Sequence, residues 1–422
     1  MANWQSSFRR GVDRIFSLPG PGVITGAADD DPSGIATYSL AGAQTGYNLL
    51  WTSVLTLPLN AAVQDMCARI GLVTGKGLAD ALKQRNRRRT LMLLVTLLLV
   101  ANTANIGANI AAVAAGVELL TGVSHNVTLV PLGAAIALSE IVIPYRFFAS
   151  YLKILTLVLF AYVVDAFVAG PDWDQALKRT FLPSIHLDLG FITTVVALFG
   201  TTISPYLFFW QTSEEVEELH EHHKALGTEP DIRRAQFDVE AGMLLAHFVA
   251  YFIMLTTAAT LYPAGIREIN TAAEAAEALR PLAGDEATTL FAIGFIGTGL
   301  LSIPILAGSA AYAVAEVFDW REGLEEDVRS APQFYAVIAL ATLIGLVLGI
   351  SGVGAIRALF AAAVINGVVA PILIWAILQV SNDTEIVGVH RNGTISNVLG
   401  YAAAAVMGLA ALAMAVSFLL SV

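Results

Sequence analysis

The chain has 422 residues, 56% hydrophobic and 14% charged, with a mean hydropathy of +0.69. A soluble domain carries about 25% charged residues, so a deficit spread along the whole length excludes one and reads as an all-α polytopic membrane protein. The net charge of −11 gives no sign of a nucleic-acid partner, and Cys67, the sole cysteine, leaves no internal disulfide and no cysteine metal cluster.

The first segment, Met1 to Ser17, carries Trp4, Phe8, Arg9, Arg10 and Arg14 without the layout of a cleaved signal peptide. Stretches long enough to cross a hydrocarbon core of about 30 Å then recur to the end. They predict eleven helices, over 18–45, 48–71, 91–119, 126–144, 151–170, 190–212, 241–262, 287–315, 334–352, 357–379 and 396–421.

The first helix holds the most informative stretch, Gly26-Ala27-Ala28-Asp29-Asp30-Asp31-Pro32-Ser33-Gly34. A charge at membrane depth costs about 2.5–3.5 kcal/mol on insertion scales and marks function by default. Proline removes a backbone donor and glycine loosens the helix. Broken backbone survives in a bilayer only where protein or a water-filled cavity covers it. These residues point to a cation site in a transporter.

Helix 2 contributes the amides Asn60 and Gln64, and helix 3 places Asn102, Asn105 and Asn109 at i, i+3, i+7 on one face. Two readings stand for these amides: hydrogen bonds to the water shell of an ion, or interhelical bonds. Helix 3 has no acid between Leu91 and Val117, hence no carboxylate proton wire. Asp165 near the end of helix 5, and Glu118 and Glu140 near helix ends, read as water-facing termini.

Helix 6 repeats the interruption of helix 1: Gly200 and Pro205 bracket Thr201, Thr202 and Ser204 in mid-span. Alone, Pro205 reads as a kink in a packed helix. Paired with Asp29–Asp31 five helices earlier and in the opposite orientation, it points to an inverted-repeat transporter with a midplane site. Carboxylates, hydroxyls and freed carbonyls are hard ligands that suit Mg²⁺, Mn²⁺ or Ca²⁺, and no Met, Cys or His lies in either break. Mg²⁺ keeps several waters and takes one or two carboxylates.

The longest loop, about Ser213 to Asp238, carries Glu214, Glu215, Glu217, Glu218 and Glu221 with His220, His222 and His223. A solvated helix end is favoured over a metal-collecting tract. The basic run Lys83–Arg89 reads as a topology and headgroup signal. His247, within helix 7, reads as a core residue rather than a ligand, and Asn366, beside Gly367 in helix 10, as a cavity-lining or packing residue.

Orientation follows from Lys and Arg. With the N-terminus inside, the inner segments hold Arg9, Arg10, Arg14, Lys76, Lys83, Arg85, Arg87, Arg88, Arg89, Arg146, Lys153, Lys224, Arg233, Arg234, Arg321, Arg329 and Arg391. The outer loops hold only Lys178, Arg179, Arg267, Arg280 and Arg357. Eleven helices then place the C-terminus outside.

Gly20-Pro21-Gly22, Asp31-Pro32-Ser33-Gly34, Ala41-Gly42-Ala43-Gln44-Thr45-Gly46-Tyr47 and Leu49-Leu50-Trp51 resemble the opening of the NRAMP metal-ion transporters. Gln64 with Ala68-Arg69-Ile70-Gly71-Leu72-Val73-Thr74-Gly75-Lys76 continues the match, which persists more weakly through Ser204-Pro205-Tyr206 and Gly294-Phe295-Ile296-Gly297-Thr298-Gly299. The resemblance implies a LeuT-like fold in a single transport domain. One five-helix repeat would cover about 18–170, its inverted partner about 190–380, and an extra helix about 396–421.

The departures are informative. The helix 1 motif Asp-Pro-Gly-Asn keeps Asp31 and Pro32 but has Gly34 at the Asn position. The helix 6 motif Met-Pro-His has Ser204 for the methionine and Tyr206 for the histidine, and the second helix 6 histidine corresponds to Gln211. The family's helix 3 acids fall roughly on Thr96, Thr103 and neighbouring amides. This pattern resembles the divergent NRAMP-related magnesium transporters. It implies Mg²⁺ transport, with Mn²⁺ accepted, by alternating access and without proton coupling. Asp31 would be the principal ligand, with Asp30, Asp29, Gly34, Thr201, Thr202 and Ser204 around the ion and Gln64, Asn102, Asn105, Tyr206, Gln211 and Asn366 lining the cavity.

The expected partners are the divalent ion and the lipid bilayer of the cytoplasmic membrane, with no cofactor, no enzymatic residues and no obligate protein partner. Rival readings are proton- or ion-coupled Mn²⁺ or Fe²⁺ uptake, amino-acid carriage with Asp31 as counter-charge to an ammonium group, and a non-transporting sensor.

Overall fold

The computed structural model describes residues 20–142, 157–324, 326–350 and 352–421. The N-terminal residues Trp4, Phe8, Arg9, Arg10 and Arg14, the basic Arg146 and Lys153, and the first part of the expected fifth helix lie outside them. Among the described residues the chain is helical throughout, with no strand.

The expected first helix is two helices, α1 (Pro21–Asp29) and α2 (Pro32–Thr45). Then follow α3 (Trp51–Thr74), α4 (Leu78–Arg85), α5 (Arg88–Thr121), α6 (His125–Val142), α7 (Phe160–Val168) and α8 (Trp173–Phe181). The expected sixth helix is likewise split, into α9 (Leu189–Thr202) and α10 (Pro205–Glu221). The chain ends with α11 (Glu229–Thr260), α12 (Ala287–Phe318), α13 (Pro332–Gly349), α14 (Ala355–Ser381) and α15 (Thr394–Ser421). Among the described residues, eight segments are long and apolar enough to cross a membrane, the α9–α10 pair counted as one.

Two expected loops prove more ordered than their composition indicates. The acidic stretch from Ser213 to Asp238 is almost all helix, because α10 runs on to Glu221 and α11 begins at Glu229. The start of α11 is fixed by a capping box in which Thr228 and Asp231 satisfy each other's backbone donors, followed by proline in the first turn. His220, His222 and His223 are exposed, and no cluster of three metal-ligating His, Cys, Asp or Glu exists among the described residues. In the basic run, Lys83 and Arg85 sit on α4 and pair with Asp319 at 2.6 Å and Asp383 at 3.1 Å. Those pairs dock α4 onto the ends of α12 and α14, beyond any topology role.

The interior is built by small residues that let backbones meet, the usual device where lipid is as apolar as the side chains. Gly26 of α1 lies against Gly242 of α11, and Gly200 of α9 against Gly367 of α14. At each point a Cβ would collide with the facing backbone. These two crossings hold the broken helices against the continuous ones. The outer faces of α5, α13 and α15 present large apolar side chains such as Leu93, Val347 and Leu412, as a lipid-facing surface does.

Of the minor polar groups, Asp165 and Glu140 depart from the water-facing reading, whereas Glu118 stays partly exposed at its helix end. Asp165 is fully buried, and its Oδ1 accepts from the Leu282 N–H at 2.7 Å, holding down the 272–286 segment. Glu140 accepts from Thr342 Oγ1 at 2.7 Å across α6 and α13. Glu118 pairs with His125 at 2.6 Å around the α5–α6 turn. His247 is buried with Nδ1 2.8 Å from the Met243 carbonyl, one turn back on its own helix.

Candidate functional site

Both interruptions lie side by side in the interior. In the first, Asp30 leaves the helix with φ −85° and ψ 45°, and Asp31 is extended, with φ −70° and ψ 171°. Pro32 then opens α2 at a position where its missing N–H costs nothing. Three consecutive residues across such a break cannot share one face, and the three carboxylates diverge. All three are buried.

Asp31 turns towards α5. Its Oδ1 accepts from the Gly34 N–H at 2.8 Å, so it is also the N-cap of α2. Its Oδ2 accepts from Asn109 Nδ2 at 3.1 Å and from Asn105 Nδ2 at 3.4 Å. Asn109 also donates to Ser302 Oγ of α12 at 3.0 Å. The amide oxygens of Asn105 and Asn109 are buried without a partner among the described residues. The Asp31 carboxylate is therefore pinned by neutral donors, with two amide oxygens left over beside it.

Asp29 turns the other way, towards α3, where Asn60 Nδ2 lies 3.4 Å from its Oδ2. The same nitrogen donates to the Thr202 carbonyl at 2.7 Å and meets Met243 Sδ at 3.0 Å. Asp29 Oδ1 and Asp30 Oδ1 are buried and have no partner among the described residues.

The second break supplies neutral oxygens, most already engaged. Ser204 caps α10 in an extended conformation, and its hydroxyl reaches back to the Thr201 carbonyl at 2.8 Å and the Gly200 carbonyl at 3.1 Å. Thr202 donates its hydroxyl to the Leu198 carbonyl at 2.5 Å. A carbonyl oxygen has a second lone pair, so Thr201 and Thr202 keep ligand capacity despite these bonds. Gly34 supplies an N–H and room but no side-chain oxygen: a Cβ there would lie 3.2 Å from the Asp29 carbonyl and 3.6 Å from Thr201 Oγ1.

The remaining expected lining residues divide. Tyr206 closes the base of the first break, its hydroxyl donating to the Ala28 carbonyl at 2.9 Å. Gln211 lies further along α10, accepting from Thr25 at 2.5 Å and donating to Glu215 at 2.8 Å. Asn102, one turn from Asn105, is spent on α12: it donates to the Leu306 carbonyl at 3.0 Å and to Ser309 at 2.7 Å. For Asn102 the interhelical reading holds, whereas Asn105 and Asn109 reach the acid. Gln64 is wholly buried, and neither of its polar atoms has a partner among the described residues. Asn366 is buried beside the Gly200–Gly367 crossing, its Nδ2 unpartnered among those residues.

Three contributors were not expected from the sequence. Ser302 braces Asn109, and its one signal is a hydroxyl in the middle of an apolar helix. Asp238 reaches across from α11 to the start of α1, accepting from the N–H groups of Gly22 at 2.6 Å, Gly20 at 3.1 Å and Val23 at 3.3 Å. Met243 brings a sulfur beside the first break, carried by the Gly26–Gly242 contact next to it. No sulfur was expected there, since neither break contains one. Only the neighbour Gly242 hints at so close an approach.

A family model described as natural resistance-associated macrophage protein-like matches residues 22–417. The chain belongs to the Nramp family. It is 26% identical over 394 residues to a divalent metal cation transporter, MntH, of Aeromonas hydrophila, covering 91% of this chain and 92% of that one. It is 29% identical over 344 residues to MntH of Yersinia pestis, covering 78% and 81%. These relatives are named as transporters, not enzymes.

Among solved structures, the Eremococcus coleocola manganese transporter superposes with a TM-score of 0.74 at 18% identity, covering 93% of this chain and 85% of that one. Mhp1, a nucleobase-cation-symport-1 family transporter, superposes with a TM-score of 0.62 at 14% identity, covering 95% and 91%. The fold of this Nramp chain is accordingly LeuT-like, a multi-pass membrane architecture with its first and sixth helices interrupted.

Proposed function

We propose that this Nramp protein carries divalent metal cations across the cytoplasmic membrane by alternating access, with Mg²⁺ the preferred ion and Mn²⁺ accepted. The family and the names of its relatives support the transport of a divalent metal. The observation that carries the finer reading is the environment of Asp31: one carboxylate, fixed by two asparagine amides and a backbone N–H, with two spare amide oxygens at its side. Such an oxygen-only surface suits a cation that keeps much of its water shell. Asp31 would be the principal ligand, and Thr201, Thr202 and Ser204 would offer carbonyl and hydroxyl oxygens.

The second element is coupling. Helix α5 offers no carboxylate between Leu91 and Val117, and the groups facing Asp31 from it are amides. Amides do not relay protons as carboxylates do, so transport follows the ion's own electrochemical gradient. The distribution of Lys and Arg supports a cytoplasmic N-terminus and an external C-terminus, and the whole chain would act as one transport domain of two inverted repeats and an added α15.

Flux into proteoliposomes tests this. Mg²⁺ should enter down its gradient with no acidification of the lumen. Asp31→Ala, at normal expression and with an unchanged elution profile, should abolish entry. Mg²⁺ entry accompanied by stoichiometric proton entry would overturn the uncoupled mechanism, and undiminished transport by the variant would overturn the ligand assignment.

A further inference from the structure

The surroundings of Asn60 hold a second cluster, centred away from Asp31 and sharing only Thr202 with the Asp31 site. Three acceptors from three different helices converge on one atom, Asn60 Nδ2: Asp29 Oδ2 at 3.4 Å, the Thr202 carbonyl at 2.7 Å and Met243 Sδ at 3.0 Å. An amide nitrogen has two hydrogens, so three acceptors exceed what it can satisfy. The other end of the same amide, Oδ1, is buried without a partner among the described residues, as is Asp29 Oδ1. Asn60, Asp29, Thr202 and Met243 are all buried. A carboxylate, a freed helix-end carbonyl and a thioether gathered round a point, beside orphaned oxygens, form a cation's ligand set with an amide nitrogen at its centre.

From this we infer a second metal station at the end of α1, separate from the Asp31 site, for which Asn60 serves as plug and ligand in turn. With no ion there, the amide nitrogen sits among the acceptors. A half-turn of the amide about its Cβ–Cγ bond replaces Nδ2 by Oδ1. Without a cation that would crowd four electron-pair donors together; with one it supplies the fourth ligand and relieves the orphaned Oδ1. Cation–oxygen bonds of about 2.0–2.6 Å require the shell to close by up to about 1 Å. Asp29, on the broken end of α1, would supply that movement, with Thr202 staying in place at the end of α9.

The donor set defines the class of ion. A thioether is a soft ligand that Mg²⁺ does not take, whereas Mn²⁺ and, more strongly, Cd²⁺ tolerate mixed oxygen and sulfur shells. The station would thus be selective for softer divalent metals over Mg²⁺, the reverse of the Asp31 surface. The inference rests on the reading of the first break as the ion's site, and it deepens that reading by dividing the break into two stations of different softness.

Cadmium binding to the purified full-length protein tests it, with Mg²⁺ as competitor. The wild type should bind one Cd²⁺ that excess Mg²⁺ displaces and one that it does not, and X-ray absorption at the cadmium edge should show a sulfur scatterer for the resistant ion. Met243→Leu, a swap of near-equal volume, should weaken the resistant ion about tenfold or more and remove the sulfur scatterer, with Mg²⁺ binding and thermal unfolding unchanged. Asn60→Asp keeps the oxygen and removes the plug, and should tighten the resistant ion. Asp31→Ala should remove the displaceable ion alone.

An unaltered Cd²⁺ titration and sulfur signal in Met243→Leu would overturn the second station and leave the Asp31 reading intact. Mg²⁺ binding that survives Asp31→Ala would overturn that reading and leave the second station to the Met243→Leu result.

Discussion

The two interrupted helices look equivalent in sequence position but are fastened in opposite ways. The start of α9 is capped by its own neighbour: Asp188 accepts from the Phe191 N–H at 2.9 Å. The start of α1 is capped from another helix, by Asp238 of α11, more than two hundred residues away in the chain. A local cap travels with its helix, whereas a remote one is lost when the helix moves off. The rest of α1 is held by the same kind of external tie, Thr25 to Gln211 and the Ala28 carbonyl to Tyr206. α1, with Asp29 at its end, is thus tied by contacts that are lost if it moves off, whereas α9 carries a cap of its own; Asp31, at the head of α2, is held to α5 instead. The contrast divides labour between the breaks: the first supplies charge and movement, the second a fixed wall.

The largest effect that follows is the loss of transport in Asp31→Ala already described, since the ion would lose its principal ligand. The next tests the fastening. Asp238→Ala should free α1, because three N–H groups lose a charged acceptor at a helix N-terminus, an interaction of up to about 2 kcal/mol where partly buried. Hydrogen exchange across 21–29 should quicken by about tenfold or more, each 1.4 kcal/mol being a factor of about ten. Asp188→Ala removes a conventional N-cap of about 0.5–2 kcal/mol. Its faster exchange should stay within the first turn of α9. If both variants loosen their helices to the same extent and over the same length, the contrast is wrong.

How much of this was legible without coordinates depends on the distance each feature spans. The interruptions are local facts, charge and proline within a few residues, and Asp29–Pro32 and Thr201–Pro205 announce them. The face shared by Asn105 and Asn109 follows from helical spacing, but the same spacing includes Asn102, and only the packing of α12 decides that Asn102 is spent on Ser309. That the three acids diverge was hidden, because periodicity fails where the helix ends. Met243 and Asp238 were hidden for another reason: both act across the α1–α11 contact, and nothing along α11 states which residue faces the break. The acidic loop misled through composition, since a capping box at Thr228 and Asp231 converts a polar stretch into the first turn of a membrane helix.

The smallest expected effect lies in the second break and sharpens the idea of a fixed wall. Ser204 covers two carbonyls that the break leaves without helical donors, those of Thr201 and Gly200. In Ser204→Ala both lose that hydroxyl in a buried place, where an unsatisfied polar group costs about 1–3 kcal/mol. The stability of the protein should fall by that order, read as a lower melting temperature in detergent. Transport should fall only in part, because the substitution removes one neutral oxygen but leaves the Thr201 carbonyl freer to meet the ion, and the charge that holds the ion resides on the first break. A loss of flux as complete as that of Asp31→Ala, at unchanged melting temperature, would mean that the hydroxyl is itself an essential ligand. The second break would then be an equal partner in binding rather than a wall against which a charged, movable helix works.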